Sequence, residues 1–281
     1  MLALLSCLPA ALHLDAQGAC AGQRDGRIAN WACYYGSKPV KALSRFDLVV
    51  LESFHQPAPP KRKGRPVALG YASLGEVDMD GRYWELVKDK PFVLDKNPNW
   101  NSRFVDVRDP GWRAVMLERI VPDILARGYD GVFLDTLDSS IHLESVDPER
   151  FKGMASAAAE LVAVIKRRFP EAKLCLNRAA PILETAAPIL DFALLECLYS
   201  DYDFEAKSYR LVDARERGAL LESAARARRA NPAIVMLSLD YADPKDARTI
   251  RNALAFSRKH KLVPYVSTPE LDAVHTFALG R

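Results

Sequence analysis

The sequence predicts an α/β fold, a single (β/α)8 TIM barrel. Eight short apolar runs with the composition of strands buried on both faces recur between residues 29 and 267. Helical or irregular stretches separate them, and 281 residues suit one barrel of this kind. Polar and acidic side chains stand at the carboxyl ends of the runs, where such barrels place their chemistry. An open doubly wound sheet is the rival. It usually brings a glycine-rich phosphate loop, and the chain holds neither G-x-G-x-x-G nor G-x-x-x-x-G-K-[ST].

In order along the chain, a strand is expected at Ala29–Tyr35, a short helix at Lys38–Ser44 and a second strand at Asp47–Leu51. Pro57–Pro66 is proline-rich and basic, and reads as a solvated connection. Val67–Tyr71 is the third strand. Residues 79–110, with Trp84 and Trp100, form a long irregular excursion with an extended piece at Phe104–Val107. Gly111–Arg127 is amphipathic through Trp112, Met116, Ile120 and Ile124, and Pro122 predicts a kink or break. Gly128 closes that pattern with a left-handed residue, and Gly131–Asp135 is the fourth strand.

Asp147-Pro148-Glu149 reads as the start of a helix whose apolar face runs from Phe151 through Leu161 to Phe169. Lys173–Asn177 and Phe192–Glu196 are the fifth and sixth strands. A helix is expected over much of 205–229, with its arginines on a solvated face. Ala233–Ser238 is the seventh strand, ending near Asp240. Asp243-Pro244 reads as the cap of the next helix, and Leu262–Ser267 is the eighth strand.

Charge balance narrows the partners. Thirty-nine basic and 36 acidic residues leave a net charge of +3, so no global field favours nucleic acid or an anionic membrane. Residues 2–14 are apolar but too short to cross a bilayer, so no stable membrane insertion is expected. Two readings of residues 1–21 stay open. One is a secretory apolar region with Ala19-Cys20-Ala21 as its cleavage site. The other is the end of a lipoprotein signal, Leu4-Leu5-Ser6-Cys7, with Cys7 carrying the lipid. Both imply export to the periplasm or beyond, against the plain alternative of a frayed apolar N-terminus; 22–281 is the expected folded domain. The five cysteines give no C-x-x-C pair and no zinc spacing. Cys33, Cys175 and Cys197 read as buried thiols, and a Cys20–Cys33 disulfide is left undecided.

This layout gathers Tyr35, Tyr71, Glu76, Asp78, Asp135, Asp138, Asn177, Glu196, Tyr199, Asp240 and Ser267 at one end of the barrel. The set is acidic, aromatic and amide-bearing, and holds no histidine. It suits sugar chemistry and suits hydride or phosphoryl transfer badly. Asp135 and Glu196 each close an apolar run, where an unpaired charge is costly and requires a partner or a function. Facing each other across the mouth, they would make the pair that glycoside hydrolysis needs, one ionised and one protonated. Structural readings compete: Asp135 as a helix cap, Glu196 as the partner of Arg178. Mg²⁺ or Ca²⁺ held by Asp135, Asp138 and Glu196 is a third reading. The five histidines are scattered, and no metal or other cofactor is expected.

The segments GYDGVFLDTLDS, YASLGEVD and VDVRDPGWR, with LNR and LLECL further on, resemble glycoside hydrolase family 114 from about Trp31 to Ser267. That family comprises endo-α-1,4-polygalactosaminidases and the related hydrolase domains of Pel-type exopolysaccharide systems. The resemblance implies a secreted or periplasmic (β/α)8 barrel that cleaves α-1,4-linked galactosamine-rich polymers. It places the family's catalytic aspartate on Asp135 and its catalytic glutamate on Glu196, and makes Tyr71 to Glu76 a substrate-side loop. Asp135 is then the nucleophile of a retaining mechanism and Glu196 the general acid/base, with the raised pKa expected on Glu196. Tyr35, Tyr71, Glu76, Asp78, Asp138, Asn177, Tyr199 and Asp240 are the expected polysaccharide contacts. The acids around the mouth predict a preference for cationic amino sugars. The non-enzyme rival is a catalytically silent barrel that holds sugar through Trp84, Trp100 and the strand-end tyrosines. A salt bridge locking either carboxylate would favour that rival.

Overall fold

Trp31 joins the first and last strands of the barrel. Its indole Nε1 donates to the Val263 carbonyl at 2.9 Å, and its ring lies 5.6 Å from that of Tyr265. The computed structural model describes residues 27–61 and 64–279. Eight parallel strands stand side by side in chain order: β1 (Trp31–Tyr34), β2 (Leu48–Leu51), β3 (Val67–Ser73), β4 (Gly131–Asp135), β5 (Lys173–Asn177), β6 (Phe192–Glu196), β7 (Val235–Tyr241) and β8 (Val263–Ser267). The sheet is nearly closed into a barrel, with helices between its strands. All eight expected strands are present. The signal readings of residues 1–21, with Cys7 and Cys20, lie outside the described residues. Cys33, Cys175 and Cys197 are free, buried thiols. Among the described residues no helix is long and apolar enough to cross a membrane.

β4 shows how the sequence dictates local structure. Gly128 ends the preceding helix with a φ of +91°, a conformation that costs glycine little. Asp130 then accepts from Ala68 N at 2.9 Å, from Lys61 Nζ at 2.9 Å and from both terminal nitrogens of Arg65. Burial opposes its ionisation, but the Arg65 and Lys61 contacts outweigh that and hold Asp130 down at about 2. The basic loop before β3 is therefore tied to the sheet at Lys61 and Arg65, not wholly solvated. At Gly131 an added Cβ would lie 1.8 Å from the Lys173 carbonyl oxygen, so only glycine lets β4 approach β5 this closely. Val132, Phe133 and Leu134 follow, all buried. Each such side chain stabilises the fold by about 1.5–3 kcal/mol.

The helix before β4 runs through Pro110–Val115 and Val121–Ala126, joined by a π-helical turn at Met116–Ile120. This wider turn takes the place of the kink expected at Pro122. It stands where the proline's missing N–H and its ring disturb the preceding turn. Two caps are displaced from their expected positions. Met154–Arg168 starts after Gly153, while Asp147 holds the turn before it by accepting from Arg150 N at 3.0 Å. Ala247–Lys259 is capped by Asp246, and Asp243 holds the preceding turn through Lys245 N at 2.8 Å. An additional helix, Leu137–Val146, follows β4 directly. Its apolar residues do not gather on one face, so periodicity does not reveal it.

Two excursions leave the carboxyl end of the barrel. After β3 the chain builds a three-stranded antiparallel sheet from Glu76–Asp78, Val93–Lys96 and Ser102–Val105, with a short helix at Trp84–Val87. After β6 it forms an antiparallel ribbon, Ser200–Asp203 with Ser208–Leu211. The ribbon replaces the first part of the expected helix, which runs only from Ala214 to Ala230. Asp201, Tyr202, Asp203 and Phe204 alternate with a period of two, which is strand behaviour.

Candidate active site

Asp135, Asn177 and Glu196 close β4, β5 and β6, three neighbouring strands. The next residue in each case, Thr136, Arg178 or Cys197, takes a left-handed φ of 64°, 54° or 55°. None is glycine, and backbone of this kind costs on the order of 1 kcal/mol or more per residue. Thr136 Oγ1 offsets part of it by accepting from Leu74 N at 3.1 Å and Gly75 N at 2.9 Å. The chain thus turns sharply after each of the three polar side chains.

Asn177 is 3% exposed. Its Nδ2 donates to Asp135 Oδ1 and to Glu196 Oε2, both at 2.8 Å. Because the two N–H bonds of an amide diverge by about 120°, the two acceptors lie roughly 5 Å apart. Tyr241 Oη donates to Glu196 Oε1 at 2.7 Å. The Tyr71 hydroxyl serves Asp135, and its ring stacks on Phe133 and meets Tyr35 edge-on at 5.1 Å. Arg178 pairs with Asp138 at 3.1 Å, not with Glu196. Among the described residues neither Asp135 nor Glu196 forms a salt bridge, and no group of three His, Cys, Asp or Glu side chains has metal-holding geometry.

Burial, followed by the charges of Glu196 and Asp138, pushes Asp135 up to about 7; the Asn177 amide and the Thr136 N–H work in the opposite direction. A raised carboxyl therefore ends β4, while the carboxyl that ends β6 meets two donors on the neighbouring strands, Asn177 and Tyr241.

Tyr35, Tyr71, Asp138 and Asn177 lie around the pair. Asp78 is exposed and lines a cavity of about 350 Å³ beside it, with Glu52, Phe54, His55, Tyr71, Arg82 and Tyr83. Three predicted contacts are taken up by packing or structural bonds. Glu76 lines the same cavity but is buried and accepts from Asn97, Ser102 and Ser139, so it anchors the excursion after β3. Tyr199 packs on Phe256 with Arg217 over its ring, on the helix side of the wall. Asp240 is fully buried and accepts from Tyr199 N at 2.5 Å and Ser200 N at 3.0 Å. Burial pushes it up to about 6 despite those donors. Strand parity explains the error: Leu239 and Tyr241 share one face of β7, and Asp240 points to the other. Tyr241 was findable by counting in twos. Glu52, just past β2, is the other residue missed; burial raises its carboxyl.

Residues 14–280 match the glycoside-hydrolase family GH114. The chain belongs to glycoside hydrolase family 114. It is a glycoside hydrolase. The glycoside hydrolase domain of PelA from Pseudomonas aeruginosa superposes with a TM-score of 0.76 at 32% identity, over 88% of this chain and 97% of that one. Aspergillus fumigatus Ega3, solved in complex with galactosamine, shares the fold with a TM-score of 0.67 at 15% identity, over 92% and 99% of the two chains. An uncharacterised Deinococcus radiodurans protein is 26% identical over 255 residues, 85% of this chain and 79% of that protein.

Proposed function

We propose that this glycoside hydrolase cleaves α-1,4-linked, galactosamine-rich exopolysaccharide by a retaining mechanism, outside the cytoplasm. The observation that carries the mechanism is the single amide of Asn177 bonded to both carboxylates. It sets their separation near the 5–5.5 Å or so of retaining pairs, short of the 6.5–9.5 Å or so that leaves room for an inverting water. For the substrate, the support is family membership together with the PelA hydrolase domain and the galactosamine held by Ega3.

Asp135 attacks the anomeric carbon while Glu196 gives its proton to the departing glycosidic oxygen. The bond to that oxygen breaks and a glycosyl ester forms on Asp135. Water then attacks the ester, its proton passes to Glu196, and the sugar leaves with its original anomeric configuration. Attack requires Asp135 ionised, so the proton shared by the pair must sit on Glu196. The Asn177 amide stabilises charge on either carboxylate and lets it move between them. The silent-barrel reading lacks its expected sign, since the locking salt bridge falls on Asp138 instead.

Product analysis on galactosamine- and N-acetylgalactosamine-containing polymers tests the substrate, and the anomer released tests the mechanism. Inversion would overturn the mechanism. Full activity in Asp135→Asn would overturn the assignment of roles.

A further inference from the structure

Four aromatic side chains stand outside this chemistry. Trp100 is 53% exposed and Phe204 is 54% exposed. Their rings meet edge-on at 5.1 Å; Phe204 meets Tyr202 at 5.2 Å, and Tyr202 meets Tyr209 at 5.1 Å. Trp100 belongs to the excursion after β3, the other three to the ribbon after β6. β4 and β5 lie between those strands in the sheet, so the contact spans the strand ends that carry Asp135 and Asn177.

These exposed rings are held firmly. Trp100 sits on a turn closed by the bond from Asn97 N to Ser102 O at 3.0 Å. The side chains of Asn97 and Ser102 donate to Glu76, which also accepts from Ser139, the neighbour of Asp138. On the ribbon, Asp203 Oδ1 accepts from Glu205 N at 3.0 Å and Ala206 N at 2.8 Å. Asp201 accepts from the Cys197 thiol at 3.0 Å, one residue past Glu196. Rings fixed in this way lose little freedom when a ligand arrives.

The neighbours select the ligand. Pyranose C–H faces pack on aromatic rings, and an ammonium substituent adds attraction to the ring face. The negative charges of Glu270 and Asp243 act on Tyr209 and favour the same cation. Resting on the reading of the preceding subsection, we infer that Trp100, Phe204, Tyr202 and Tyr209 form a stacking platform for a stretch of cationic amino-sugar polymer beyond the sugar held at the carboxylates. The platform captures chain, so it discriminates long substrates from short ones.

The test compares the protein with the double variant Trp100→Ala/Phe204→Ala on partly deacetylated polygalactosamine and on the shortest oligosaccharide it cleaves. The ratio of the two kcat/KM values, polymer over oligosaccharide, should fall about tenfold through KM, the equivalent of one lost stacking contact. In a Glu196→Gln background, retardation in gels containing the polymer should be lost with the same two substitutions. An unchanged ratio with unchanged retardation would overturn the platform while the unsubstituted protein still cleaved the polymer. So would lost self-association in sedimentation with sugar binding intact, which would assign the patch to a protein contact. Failure of the unsubstituted protein to cleave any galactosamine polymer would instead bring down the proposed function, and the platform's ligand with it.

Discussion

Tyr241 donates its hydroxyl to Glu196 Oε1 at 2.7 Å from the end of the neighbouring strand, while its ring is buried in the barrel. A phenol fixed in this way holds the carboxylate in one rotamer. Tyr241→Phe keeps the packed ring and removes only the donor. Glu196 becomes charged as it gives up its proton, and loss of a hydrogen bond to a charged group costs about 1.5–3 kcal/mol, so kcat/KM should fall roughly tenfold to a hundredfold. Thermal unfolding should move little. Unchanged kinetics would show that Glu196 holds its position without the phenol.

Asn177 serves both carboxylates, so its removal should do more than the loss of one bond. Its amide lowers the pKa of Asp135, and attack needs Asp135 ionised. The acid limb of kcat/KM should lie near pH 7 and shift upward in Asn177→Ala, with the melting temperature nearly unchanged. A pH profile that keeps its position while activity falls would limit Asn177 to substrate contact.

The fold was almost fully legible because buried parallel strands leave continuous apolar runs, and all eight stood out. The carboxylate pair and Asn177 were legible for a related reason, being polar residues at the points where those runs stop. Side-chain direction was harder to read. Glu76 lines the cavity but spends its carboxylate on the excursion after β3, while Tyr199 and Asp240 lie near the right strand ends and point toward the helices or under the 198–200 turn. Parity on β7 depends on where the strand ends, and a strand taken to stop at Ser238 hides Tyr241. The helix Leu137–Val146 escaped because its stabilising contacts are not confined to one face.

Asp135 should also weaken the fold as it ionises. Its folded pKa of about 7 lies above the value of about 3.9 for an unfolded aspartate. The folded state then binds more protons than the unfolded one between those values. Stability must fall as pH rises from about 4 to about 7, and level off above. Asp135→Asn removes the penalty. It should abolish turnover yet stabilise the protein at pH 8 by on the order of 2 kcal/mol, with little gain near pH 4. Denaturant unfolding at both pH values provides the check, and an equal gain at both would contradict the sign.

At the opposite end of β4, Asp130 behaves the other way. Its pKa is held at about 2, so its contribution is complete above about pH 4 and is lost as pH falls toward 2. Arg65, largely buried, is the partner that matters; Lys61 is mostly exposed and adds little. Arg65→Met should destabilise the protein by about 3 kcal/mol at pH 7, because it leaves Asp130 partly buried with a weak partner. Lys61→Met should change stability by less than about 0.5 kcal/mol. Activity per folded molecule should be unaffected in both, since Asp130 precedes the strand that Asp135 ends, at the far end from the site.

The acids that could favour a cationic substrate are fewer than the sequence suggests. Nine acids fall in the segments around the mouth: Glu76, Asp78, Asp135, Asp138, Glu196, Asp201, Asp203, Asp240 and Asp243. Glu76 and Asp240 are buried in structural bonds. Asp138 pairs with Arg178 and Asp201 with Arg210, while Asp203 and Asp243 hold turns near the ribbon, so the charge of Asp243 acts at the aromatic platform and not at the pair. At the pair and its cavity there remain Asp135, Glu196 and Asp78, the last also holding a turn through Asp80 N, joined by Glu52, which composition alone did not single out. A few carboxylates focus a weaker field than nine, but field lines still converge in a cleft with low-dielectric walls. Raising ionic strength from about 0.01 M to 1 M shortens the Debye length from about 30 Å to about 3 Å. Over that range kcat/KM on partly deacetylated polygalactosamine should fall severalfold, mainly through KM. Full N-acetylation should remove the salt dependence along with most of the activity. Glu52→Gln should halve the salt slope while leaving kcat close to its original value, because Glu52 lies beside the pair and not within it. Equal cleavage of the fully acetylated polymer, insensitive to salt, would mean that shape alone selects the substrate.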